Sequence, residues 1–242
     1  MKKYLKFFNT CSSSAGFTLI ELLIAMSLTV GVIGLTGFGL VAIMEKSIKI
    51  EAETLRRIEL NRALDFMADE VRMAKAITTN VYIDVKATVA TDFPSKCHDP
   101  NDGVDCALIL EIPNVAQRVI YYVGPLLAGS PWLGPRVIYR WGPNFEADGS
   151  YSNPSSPSSW KTTELELVDR IEDSVPNPNP NCANGWFPNP PVIDRDGFYA
   201  CVDSTGRIAE IYLRGKLIDA YGNSLTPYEV NTKVFARSGV TP

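Results

Sequence analysis

His98 is the only histidine in this chain of 242 residues. That excludes a multi-histidine metal site and leaves histidine-dependent catalysis a single candidate. A GxSxG elbow, an HExxH helix and a GK[ST] phosphate loop are all missing. Positive charge is not in excess: Lys and Arg number 23 against 27 for Asp and Glu, and no basic stripe carries interleaved aromatics. Contact with nucleic acid is therefore not expected. The cysteines include no CxxC pair, which sets a zinc site aside. Between Leu22 and Met44 there is no charge at all. These gaps predict a scaffold: not an enzyme, with no catalytic residue, no metal and no cofactor.

What is present begins with Lys2, Lys3 and Lys6, a short basic leader with no acid to offset it. A small polar stretch follows and ends in Ala15-Gly16, and then the apolar run FTLIELLIAMSLTVGVIGLTGFGLVAIM starts at once. At about 1.5 Å of rise per residue, the 23 uncharged residues from Leu22 to Met44 reach roughly 34 Å, enough for a hydrocarbon core of about 30 Å. Positive charge ahead of the run orients the leader to the cytoplasm and the rest outward. A secretory signal peptide does not fit, because its apolar region is shorter and ends in an A-x-A-like site. A plain signal anchor leaves Glu21 unexplained. An unpaired acid just inside an apolar run is costly, so Glu21 predicts a partner.

The string Gly16-Phe17-Thr18-Leu19-Ile20-Glu21, behind a basic leader and ahead of a long apolar helix, resembles the type IV prepilin signal, also called the class III signal. The resemblance implies that a prepilin peptidase cuts between Gly16 and Phe17 and that Phe17 is N-methylated. It also implies that the apolar helix later packs in a filament core, with Glu21 pairing with the Phe17 ammonium of a neighbouring subunit. Many members of that family carry a helix-breaking proline in the apolar half. This chain has Gly31, Gly34, Gly37 and Gly39 there instead, which fit either close helix packing or a stretch that melts outside lipid.

Beyond Met44, Leu60, Leu64, Met67, Val71, Ala74 and Ile77 step by four or three, the helical period. Arg56, Arg57, Glu59, Arg62, Asp69, Glu70 and Arg72 are expected on the opposite, solvated face. The pattern predicts one helix from Phe17 to about Ile77. From residue 81 the signal changes to period two with β-branched and aromatic runs. Candidate strands are 81–89, 107–112, 118–123, 136–141, 164–168, 198–202, 207–214 and 230–237. Two low-complexity stretches, 150–159 and 176–191, read as surface loops. The fold class is α+β, a long N-terminal helix packed on antiparallel sheet. The expected division is a leader at 1–16, a transmembrane and filament-core helix at 17–44, an amphipathic half at 45–78 and a β-rich periplasmic domain at 79–242.

Cys97, Cys106, Cys182 and Cys201 remain after the leader, which carries Cys11, is removed. Local pairs, 97 with 106 and 182 with 201, are expected in an oxidising compartment. The acids Asp99, Asp102 and Asp105 lack the order of a calcium loop and read as turn residues, as do Asp194 and Asp196.

The segment ALDFMADEVRMAKAI is similar to the larger PilW-like minor pilins and the J-type pseudopilins of type II secretion. The later order of RVIYYVG, RVIYRWG, ELVDRIED, IAEIYLRG and VNTKVFARS is similar to the same group. That resemblance implies a minor pilin or pseudopilin in a filament serving motility, adhesion, DNA uptake or secretion. Its implied partners are prepilin peptidase, the major pilin and other minor pilins or pseudopilins, the inner-membrane assembly platform and membrane lipid. The alternative is a membrane-anchored adhesin that never polymerises.

Overall fold

The computed structural model describes residues 16–78, 105–160, 165–173, 182–189, 197–219 and 222–237. They fall into two compact units divided between Ile48 and Lys49. The secondary structure begins with α1, Leu19–Met73, a helix of 55 residues that contributes to both units. The first unit holds the apolar half of α1, in which no side chain from Leu19 to Ser47 is buried.

In the second unit the rest of α1 meets an antiparallel sheet. Its strands are β1 (Ala76–Ile77), β2 (Asp105–Glu111), β3 (Val119–Pro125), β4 (Arg136–Trp141), β5 (Leu165–Ile171), β6 (Trp186–Asn189), β7 (Phe198–Asp203), β8 (Ile208–Ile218) and β9 (Ser224–Phe235). The sheet order is β1-β2-β3-β4-β5-β8-β7-β6, with β9 also paired to β8. A long helix packed on antiparallel sheet is the α+β architecture expected from the period change near residue 80.

The helical stripe Leu60, Leu64, Met67 and Val71 is buried together with Leu108, Leu110, Tyr121, Ile138, Ile211 and Leu213 of the sheet. Because strand side chains alternate, the intervening residues Ile109, Ile120, Tyr122, Val137, Tyr139 and Trp141 build a second core on the other face. Trp160 closes that core: its ring meets Trp141 edge-on at 5.2 Å, and its indole N–H donates to Asn153 O at 3.0 Å. Both faces of β2–β4 are thus buried, which is why those strands read as nearly continuous apolar runs. β8 instead alternates strictly between buried and half-buried positions and has one covered face.

Several features differ from expectation. α1 stops at Met73, short of Ile77, because the chain there finds sheet partners. Lys75 N–H donates to Glu111 O at 2.7 Å, and Ile77 N–H donates to Gly206 O at 2.8 Å. The stretch read as a loop after residue 176 contains β6, which pairs with β7 from Trp186↔Asp203 to Asn189↔Ala200. Nor are Arg56 and Glu70 on the solvated face; both are buried. The candidate strand at 81–89 lies outside the described residues.

The two ends of the sheet order meet beside β1. Asn189 Nδ2 of β6 donates to Thr78 O at 2.9 Å, while the turn after β7 delivers Gly206 to Ile77. Asp203 shapes that turn, its carboxylate accepting the N–H groups of Thr205, Arg207 and Ile208 and the Thr205 hydroxyl. Burial opposes its charge, yet those hydrogen bonds hold its pKa below the usual carboxylate value.

Candidate functional site

α1 starts at a reciprocal pair of caps. Thr18 Oγ1 accepts the backbone N–H of Glu21 at 3.3 Å, and Glu21 Oε2 lies 3.4 Å from Thr18 N. The Thr18 hydroxyl also donates to Glu21 Oε2 at 3.2 Å. This is a capping box, T-x-x-E, and it satisfies helix-end donors that nothing else in the helix can reach. The carboxylate also sits where the partial positive charge of the helix N-terminus favours it. The first partner of Glu21 is therefore Thr18 of its own chain, a role the sequence reading did not assign. Gly16 and Phe17 precede the helix outside any regular element, and Phe17 is 84% exposed.

After Glu21 the helix is apolar all round and exposed all round. Leu22, Leu28, Ile33, Leu35, Phe38 and Ile43 point in every direction with nothing over them. The mean hydropathy of its most apolar stretch is 2.1, and the helix is long enough to cross a membrane. Its few polar side chains need no water. Ser27 donates to Ile24 O at 2.8 Å, Thr29 to Ala25 O at 2.7 Å, and Thr36 to Val32 O at 2.9 Å. Such back-bonding satisfies each hydroxyl inside the helix, as an apolar surrounding requires. Gly31, Gly34, Gly37 and Gly39 have open space where a Cβ would stand, so no contact within the chain demands them.

The second unit holds the other concentrated chemistry. Glu70 on α1 and Arg140 on β4 are both fully buried and pair in a two-pronged fashion, Nε to Oε2 at 2.9 Å and Nη2 to Oε1 at 2.5 Å. Tyr121 donates to the same Oε2, and Tyr151 donates to Oε1 at 2.8 Å. Burial opposes the Arg140 charge, but hydrogen bonding and attraction to Glu70 outweigh it and raise its pKa further. Burial, then the Glu70 charge, pushes both tyrosine hydroxyls well above the ordinary range. Both carboxylate oxygens are engaged and both hydroxyls stay neutral, so the cluster is a pin between helix and sheet with no free base or nucleophile.

Arg56 is a second pin. Its guanidinium donates to the carbonyls of Asp169 and Arg170, the latter at 2.8 Å, and to Glu59 at 2.9 Å. Burial lowers its pKa despite those acids. It lies over Gly215, where any Cβ would collide with the guanidinium.

Cys182 and Cys201 form a disulfide with Cα atoms 5.5 Å apart. Cys106 is buried and disulfide-bonded as well; Cys97, expected as its partner, lies outside the described residues, as do His98, Asp99, Asp102, Asp194 and Asp196. Among the described residues no group of three or more His, Cys, Asp or Glu could hold a metal ion.

Residues 11–44 match a family described as the prokaryotic N-terminal methylation motif. The match spans the end of the basic leader, the GFTLIE string and the apolar half of α1. It supports a type IV prepilin-like signal and, with it, a pilin- or pseudopilin-like subunit processed by prepilin peptidase and assembled with other pilins. The long apolar helix fits a single-pass inner-membrane anchor. No curated protein and no solved structure matches the chain.

Proposed function

We propose that this chain is a minor type IV pilin or pseudopilin, of the PilW-like or J-type kind, that joins or primes a filament at the inner membrane. Prepilin peptidase removes residues 1–16 by cutting between Gly16 and Phe17, and Phe17 is N-methylated. The segment from Phe17 to Met44 then rests in lipid until it enters a filament beside the major pilin, other minor pilins and the assembly platform. The domain from residue 79 faces the periplasm. One observation carries this reading: within the matched segment, an apolar helix exposed on every side bears a single acid, at its third residue. Lipid or other helices must cover such a surface.

Mass spectrometry of the mature N-terminus tests it. The expected N-terminal peptide begins with N-methylated Phe17 in cells that have an active prepilin peptidase. A chain that still starts at Met1 in those cells overturns the reading.

A second reading has one observation in its favour. Glu21 is already partnered by Thr18, so the acid does not by itself require a neighbouring subunit. A membrane-anchored adhesin that stays monomeric would need the helix cap and the lipid, and nothing more.

A further inference from the structure

The loop between β3 and β4, residues 126–135, carries no charge, and the uncharged run that contains it reaches from Val119 to Pro135. Loops are ordinarily built from polar residues beside their glycines and prolines. Here Leu126, Leu127 and Leu133 are exposed and Trp132 is half-buried. Beyond α1, Phe187 and Phe235 are the only other large hydrophobic side chains exposed among the described residues. The exposed apolar surface of the sheet domain is thus gathered in one loop.

Register fixes where the loop lies. β8 runs back along α1: Gly206, just before it, accepts the Ile77 N–H, and Gly215, roughly 30 Å of strand later, lies under Arg56. One row crosses the sheet at that level, through Gly215↔Ile171, Ile171↔Arg136 and Arg136↔Pro125. β3 starts at the opposite end, where Val119 pairs with Leu110 and Leu110 with Ile77. The loop therefore continues past the row, toward the end of the unit at which α1 enters it. Asp169 ties it there, its carboxylate accepting Leu133 N–H at 2.8 Å and lying 3.6 Å from the Arg56 guanidinium. Arg56 follows Met44 by 12 residues, at most about 18 Å while the chain is helical. Each five-residue arm of the loop spans up to about 17 Å, and a headgroup layer adds roughly 5–7 Å. The loop is long enough to meet lipid.

We infer that the β3–β4 loop inserts its leucines and Trp132 among the lipid headgroups, on the side of the membrane where the sheet domain lies. The inference rests on the lipid-anchor part of the reading above and not on the filament. An indole beside aliphatic side chains, with no charge to desolvate, suits the boundary between headgroups and acyl chains. Three leucines and one tryptophan are far fewer than the about 20–30 residues a side of a stable protein interface. Lipid demands less, because the anchor makes the loop's contact intramolecular and keeps its effective concentration high.

Fluorescence quenching by nitroxide-labelled phospholipid tests this, with the full-length chain in vesicles of phosphatidylethanolamine and phosphatidylglycerol. Trp141 and Trp160 are buried in the core, and Trp186 pairs with Asp203 near the Ile77 end, so the quenching should fall on Trp132. Trp132→Phe should lower the lipid-dependent quenching at least threefold, and Trp186→Phe should leave it unchanged. Leu126→Asp combined with Leu127→Asp should lower it as well, while unshifted emission from the core tryptophans reports an intact fold. Equal quenching of the unsubstituted chain and Trp132→Phe overturns the lipid contact, assigns the loop to a protein partner and leaves the anchor standing. Failure of the unsubstituted chain to float with the vesicles overturns the anchor, and this inference with it.

Discussion

Without the Arg140 guanidinium, the Glu70 carboxylate would be held at zero exposure by two tyrosine hydroxyls alone. An uncompensated buried charge of that kind typically costs about 3–5 kcal/mol, far more than exchanging both partners for apolar side chains of similar volume. Arg140→Met should therefore lower stability by about that amount. Combining it with Glu70→Met should recover a substantial part. Urea unfolding of the full-length chain in detergent, followed through the fluorescence of Trp141 and Trp160, measures all four corners of the cycle. Additive losses would show that the two residues act separately. The sequence reading set Glu70 on the solvated face because of its charge, although Glu70 follows Met67 by three and adjoins Val71, so the helical period by itself turns it toward the core. Its partner was not legible. Arg140 is 70 residues away, and only the register of β4 brings it beneath the helix. Arg56 repeats the lesson, lying four residues before Leu60 on the same stripe.

At the scale of elements, period alone located α1 and β2, β3, β4, β7, β8 and part of β5 and β9. It could not find the end of α1, because local pattern competes there with partners distant in sequence. Ala74 and Ile77 keep the helical spacing, yet pairing with Glu111 on one side and Gly206 on the other draws the chain into β1. β6 was hidden by its proline and asparagine content, and it persists as a strand because it lies at the end of the sheet, where proline is tolerated. The junction of β5, β7 and β8 depends on one residue type. Gly197 N–H donates to Glu172 O, Arg214 N–H to Gly197 O, and Glu172 N–H to Arg214 O, a closed ring of three backbone bonds. A Cβ on Gly197 would collide with Arg214 O and press on Glu172 N. Both obstacles are backbone atoms, so no rotamer change relieves them. Gly197→Ala should destabilise the domain by about 1–3 kcal/mol, whereas Gly129→Ala, in open space, should cost only the strain of its positive φ. A smaller loss at Gly197 than at Gly129 would mean the three strands can part without penalty.

For the molecule as a whole, the question is whether Glu21 serves its own helix or an assembly of many. The capping box gives Glu21 a local role through hydrogen bonds that a neutral amide can also make. Pairing with the Phe17 ammonium of a neighbour is different, because it needs a full negative charge to neutralise a positive one in an apolar bundle. Glu21→Gln keeps the cap and removes the charge; Glu21→Ala removes both. If the filament uses the charge, the two variants should both be cleaved and inserted yet both be depleted at least tenfold from sheared filaments. Should the cap alone matter, Glu21→Gln should enter filaments as the unsubstituted chain does, and only Glu21→Ala should fail. Quantitative immunoblotting of membrane and filament fractions separates the two patterns. A membrane-anchored monomer gives a third: neither variant changes how the chain partitions, because a carboxylate near the edge of the bilayer then has no partner to lose.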